Sequence, residues 1–142
     1  MTARPRSIAR WVLALFFIGA GVNHFLSPDI YLGMMPAWLP FKTAANVISG
    51  AAEFAGGLGL LIPRLRRAAA WGLIVLLIAV FPANIHVALQ GHMPGLENAS
   101  PALLWLRLCF QPLFVAWVWW TGLSRNHPPV PASATSTSHP LS

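Results

Sequence analysis

Four long, mostly apolar runs decide what this chain can become: residues 8–25, 44–62, 68–89 and 102–121. Each is close to the ~20 residues that a helix needs to cross the hydrocarbon core of a bilayer. The segments joining them are short, so neighbouring spans run antiparallel and read as an all-α membrane four-helix bundle. Composition agrees. The chain is 56% hydrophobic and 8% charged, far below the roughly 25% charged residues of a soluble domain. One domain over residues 1–123 accounts for the spans. Residues 124–142, rich in Pro, Ser and Thr with few apolar groups, read as a disordered tail.

The net charge of +6 could point to nucleic acid. The basic residues lie between spans and not on one recognition element, which excludes that class. They are topology signals instead. Arg4, Arg6, Arg10, Arg64, Arg66, Arg67 and Arg125 fall on one side and Lys42 on the other. The positive-inside rule then places both termini in the cytoplasm of a bacterial inner-membrane protein. The first run resembles a signal-peptide core, but Asn23-His24-Phe25 is no small-residue cleavage site, so it reads as a retained helix. The single cysteine, Cys109, excludes an intrachain disulfide and a CxxC redox pair.

The longest link between spans, residues 26–43, contains Pro28, Pro36 and Pro40. Ser27-Pro28 is a helix-start signal, with Ser27 as N-cap and Pro28 in the first turn. The predicted element is a short interfacial helix or turn, with Tyr31 and Trp38 at headgroup level.

The second run carries Glu53 halfway along an otherwise uncharged stretch. At helical spacing Asn46, Ser49, Gly50, Glu53, Gly56, Gly57 and Leu60 share one small, polar stripe. Such a stripe faces protein, because small residues let helices approach closely in a bilayer. An ionisable group placed there costs on the order of 3 kcal/mol to insert and is a candidate functional residue. In the third span Pro82 removes a backbone hydrogen bond, frees the carbonyl of Ile78 and predicts a kink. The fourth span carries Arg107 and Gln111 one turn apart, followed by Pro112 and the aromatic stretch Trp117-Val118-Trp119-Trp120.

Counting along the spans puts Glu53 about 13 Å below the outer surface, level with Gln111, with Asn84 and Arg107 about 7–8 Å deep. The polar groups thus share the outer half of the bundle above an apolar lower half. This predicts a pocket open to the outer side, lined by His24, Ser49, Glu53, Asn84, Arg107 and Gln111, with Met34, Met35 and Trp38 as its lid. Asn84 and His86 lie two residues apart and cannot both face inward; Asn84 is the deeper and is assigned inward. Cys109 falls on the face opposite Arg107 and Gln111. Glu53 and Arg107, of opposite charge, are expected to pair as a structural lock; the alternatives are that Arg107 snorkels outward while Glu53 stays protonated, or that the two serve a site for an acidic or carbonyl-bearing ligand or a proton-carrying group. His86 and His92 lack the spacing and companions of a metal site.

The motifs Gly21-x-x-His24-Phe25-x-x-Pro28, Pro36-x-x-Leu39-Pro40, Ser49-Gly50-x-x-Glu53, Phe81-Pro82-Ala83-Asn84 and Arg107-x-x-x-Gln111 together resemble the DoxX family of small bacterial four-helix membrane proteins. The resemblance covers about residues 8–121. It implies a redox-accessory or quinone-side role: family namesakes resemble membrane subunits of thiosulfate:quinone oxidoreductase, and other relatives are linked to oxidative-stress complexes. Where many members have a Pro-Leu pair between the Arg and the Gln, this chain has Cys109-Phe110.

Three functions fit the residues. A quinone-interacting subunit would use the polar cluster for the quinone carbonyls, in an apolar slot. The chain has no haem, flavin, iron–sulfur or nucleotide motif, so it is not expected to be an enzyme by itself, and electron transfer would need a membrane or soluble redox partner. A binding or transport module for a small amphiphile would use the same residues as ligand contacts. A structural or assembly protein would use them only to specify the bundle.

Overall fold

The computed structural model describes residues 3–124, and all of its regular structure is helical. The helices are α1 (Ala3–Leu26), α2 (Pro28–Met34), α3 (Lys42–Leu61), α4 (Arg66–Gln90) and α5 (Pro101–Val118). A π-helical turn, Trp119–Leu123, extends α5. Four segments are long and apolar enough to cross a membrane: Pro5–Leu26, Lys42–Leu61, Arg66–Gln90 and Pro101–Leu123. Each reaches within a few residues of the predicted spans. The expected tail, apart from Ser124, lies outside the described residues.

Local chemistry explains the boundaries. Ser100 caps α5, its side chain accepting from the Leu103 N–H at 3.3 Å, with Pro101 in the first turn. Gly91, at a φ of 71°, ends α4 in the left-handed conformation that glycine adopts without strain. Ser27 occupies the N-cap position of α2 as expected, yet its side chain makes no capping hydrogen bond.

The small-residue stripe of α3 faces protein. Gly50, Gly56 and Gly57 are buried there with Asn46. The approach of α1 to α3 is a backbone-to-backbone contact. A Cβ on Gly21 would lie 2.6 Å from the Phe54 nitrogen and 2.7 Å from the Gly50 carbonyl oxygen. One on Gly50 would lie 2.6 Å from the His24 Cβ. Helices α3 and α4 also pack closely, with Leu73 against Gly56.

Helices α1 and α5, by contrast, barely meet. They meet through Phe114, which stacks on Phe16 with ring centroids 4.8 Å apart and meets Phe17 edge-on at 6.2 Å. Below that stack, Leu13, Ala14, Phe17, Leu60, Ala70, Leu73, Ile74 and Val118 fill the end where α1 begins and α3 finishes. A smaller cluster of Met34, Val87 and Leu104 closes the opposite end beneath α2. Between the clusters the bundle is hollow. Outside, large apolar side chains stay uncovered, including Ile48, Val75 and Ile78 at more than 60% exposure. A water-soluble surface scatters such groups, whereas a lipid-facing one is made of them.

Candidate functional site

The hollow is a cavity of about 660 Å³. All six residues singled out from the sequence line it: His24 from α1, Ser49 and Glu53 from α3, Asn84 from α4, Arg107 and Gln111 from α5. None of the six is exposed, and His24 and Gln111 are buried. The lining residues that do reach the outside are Phe16, Leu96, Leu103, Leu106 and Phe110, all apolar. Four of these five belong to α1 and α5. The mouth therefore lies between those two helices, with polar groups deep in the cavity and an aromatic and aliphatic rim.

The expected Glu53–Arg107 ion pair is not formed. The titratable side chain beside Glu53 is His24, with Nε2 3.5 Å from Oε2. Arg107 instead donates from Nη1 to the sulfurs of Met93 at 3.1 Å and Met34 at 3.4 Å. The cause is packing. Glycines draw α1 onto α3 and bring His24 against Glu53, while Arg107 on α5 meets Met34 and Met93. Thioethers are weak acceptors, so the guanidinium is poorly compensated where it faces the cavity. A second hollow of about 210 Å³ reaches Arg107 from the side of Pro94 and Gly95.

Both polar atoms of the Gln111 amide are engaged. Its Oε1 accepts from Asn84 Nδ2 at 2.6 Å, and its Nε2 donates to the carbonyl of Leu77. That carbonyl is one residue before the one deprived of its helical donor by Pro82. Asn84 rather than His86 lines the cavity, as its greater depth indicated, and Cys109 is exposed and away from it. Phe110, beside Cys109, does form part of the wall.

One lid assignment differs from expectation. Met34 and Met35 line the cavity, but Trp38 does not and is 71% exposed. Tyr31 also lines the cavity. Its ring stacks on His24, centroids 3.6 Å apart, and its hydroxyl accepts from Asn23 Nδ2 at 2.9 Å.

Sequence reasoning missed Asn46 and Met93. Asn46 donates from Nδ2 to the His24 carbonyl at 3.0 Å, and its Oδ1 meets His24 Nδ1 at 2.7 Å. A signal for it was present: Pro28 lies four residues after His24 and has no N–H to offer that carbonyl. A buried donor from another helix is the remedy. Met93 left no comparable trace.

A family model described as "Domain of unknown function (DUF8561)" matches residues 13–122. The chain belongs to the DUF8561 family. No curated protein and no solved structure matches it. The matched stretch of this DUF8561 chain contains every polar residue that lines the cavity and all of the α1–α3 glycine contact. Among the described residues no group of three or more His, Cys, Asp or Glu could hold a metal ion.

Proposed function

We propose that this protein is a four-span bacterial inner-membrane protein that binds a membrane-dissolved amphiphile of the quinone class and serves a redox partner as an accessory subunit. The observation that carries this reading is the division of one cavity into buried polar groups and an apolar mouth between α1 and α5. With the helices in a bilayer, that mouth faces hydrocarbon. A ligand that suits it has a polar head to hydrogen-bond inside and an apolar tail to lie across Phe16, Leu106 and Phe110. Arg107, with five N–H donors and, among the described residues, only sulfur acceptors, is the natural partner for a head-group carbonyl. The volume is within the usual range for small-molecule sites. The resemblance to DoxX proteins supports the quinone class over other amphiphiles.

The direct test is titration of a short-chain benzoquinone into detergent-solubilised protein, followed through the intrinsic tryptophan fluorescence. Saturable binding that is lost in Leu106→Trp, which fills the mouth, is the expected result. A phospholipid retained in native mass spectrometry, with no benzoquinone binding, favours a lipid-binding or transport module. An empty protein indifferent to both returns the cluster to a structural role.

Both termini are proposed to be cytoplasmic, on the strength of the basic residues grouped at one end of the bundle. A cytosolic reporter fused after Ser142 should be active, and alkaline phosphatase at the same place inactive. The reverse pattern would invert the bundle and put the polar half of the cavity on the cytoplasmic side.

A further inference from the structure

We propose that Glu53 and His24 hold one proton between them at the cavity wall, and that Asn46 is the positioning residue that makes them do so. The chain of causes begins with Pro28. It offers no N–H to the His24 carbonyl, and the Asn46 amide nitrogen takes that place at 3.0 Å. The opposite amide orientation would set two carbonyl oxygens against each other, so Oδ1 of Asn46 is the atom 2.7 Å from His24 Nδ1. A carbonyl oxygen only accepts. His24 Nδ1 therefore carries a hydrogen, and Nε2 is left as the atom that meets Glu53 Oε2 at 3.5 Å.

That Oε2 is buried and has no hydrogen-bond partner at normal distance. With Nδ1 already protonated, a neutral imidazole and a carboxylate would oppose a lone pair to a negative charge. Adding one proton removes the conflict, as a carboxylic acid facing imidazole or a carboxylate facing imidazolium. The pair is thus one site with one proton, and its titration belongs to both residues.

The surroundings keep that proton local. Tyr31 from α2 covers the imidazole face, and Ser49 from α3 shares the wall. Asn84 from α4 and Gln111 and Arg107 from α5 face the same cavity. Arg107, the other charged group there, is engaged with Met34 and Met93. Because His24 and Glu53 both line the cavity, the proton sits where a bound head group can reach it. In the proposed amphiphile site this suits a head with a hydroxyl or carbonyl oxygen that exchanges a proton with the wall. Only this use of the proton rests on the ligand reading; the holding of it does not.

The test uses ligand-free, full-length protein in detergent, with nitrogen NMR on labelled histidine and infrared spectroscopy of the Glu53 carboxyl. His24 and Glu53 signals are identified by their loss in His24→Gln and Glu53→Gln. Neutral His24 should be the Nδ1–H tautomer, and each protonation step should move the signals of both groups. Asn46→Ala should raise the share of the Nε2–H tautomer at least about tenfold, the effect of losing one buried hydrogen bond. An Nε2–H tautomer in the unmodified protein, separate titrations, or an unchanged tautomer in folded Asn46→Ala would each overturn the proposal. Should Asn46→Ala fail to fold, the tautomer of the unmodified protein still decides. Failure here leaves benzoquinone binding intact, and failure of benzoquinone binding leaves the tautomer intact.

Discussion

Gly21→Val should leave little folded protein. The added Cβ alone would sit 2.6 Å from the Phe54 nitrogen and 2.7 Å from the Gly50 carbonyl, and both are backbone atoms that no rotamer change can move. Relief requires α1 to withdraw from α3 along the most extensive helix contact in the bundle. Overpacking a core costs typically about 1–3 kcal/mol, occasionally more; a clash with two backbone atoms belongs at the upper end. Valine in place of Gly19 is the control, since a Cβ there meets nothing within 4 Å. The measurement is thermal unfolding in detergent, followed by helical circular dichroism. Equal melting temperatures for the two variants would mean that α1 and α3 do not pack as described. Because the same contact presses His24 against Asn46 and Glu53, partly folded Gly21→Val should also lose the ordered histidine signal.

Arg107→Leu should separate stability from binding in the opposite sense. Were Arg107 the ion-pair partner of Glu53, its removal would strand a buried carboxylate at a cost of about 3–5 kcal/mol. In the observed arrangement Glu53 keeps His24, and what disappears is a guanidinium held by two sulfurs. The bundle should therefore be unchanged or more stable. Benzoquinone affinity should fall about 10–100-fold, the worth of a hydrogen bond from a charged donor. A double-mutant cycle completes the test: coupling of Glu53→Gln with His24→Gln should exceed its coupling with Arg107→Leu. A large loss of stability in Arg107→Leu, together with strong Glu53–Arg107 coupling, would restore the ion pair and remove Arg107 from the ligand site.

Much of this was legible in the sequence because it depended on one-dimensional patterns. The four spans follow from apolar run length, and α2 follows from Ser27-Pro28. The inward stripe of α3 follows from the spacing of Gly50, Glu53 and Gly57. The choice of Asn84 over His86 needed only the 100° step of a helix and the greater depth of Asn84. The gathering of six polar residues on one cavity needed only the alternation of antiparallel spans.

Partner choice within that cavity was not legible, because it depends on which helices touch. Charge alone favoured Glu53 with Arg107, and nothing in a linear pattern says that α1 and α5 stand apart. That separation follows from the sum of two packings. Glycines pull α1 onto α3, whereas α1 meets α5 chiefly through the rings of Phe16, Phe17 and Phe114. The same holds for Tyr31 and Trp38, which are equivalent as interfacial aromatics in a sequence. One stacks on His24 and the other faces outward because of where α2 lies over the end of α1. The sequence by itself determined the helices, their order, and the residues that would share one level of the bundle, since these are set by period and length. Only the tertiary structure decided that Glu53 meets His24, that Arg107 is left to two thioethers, and that the cavity opens sideways between α1 and α5. Those outcomes turn on interhelical distances of a few ångströms, which are fixed by side-chain volumes acting across several helices at once.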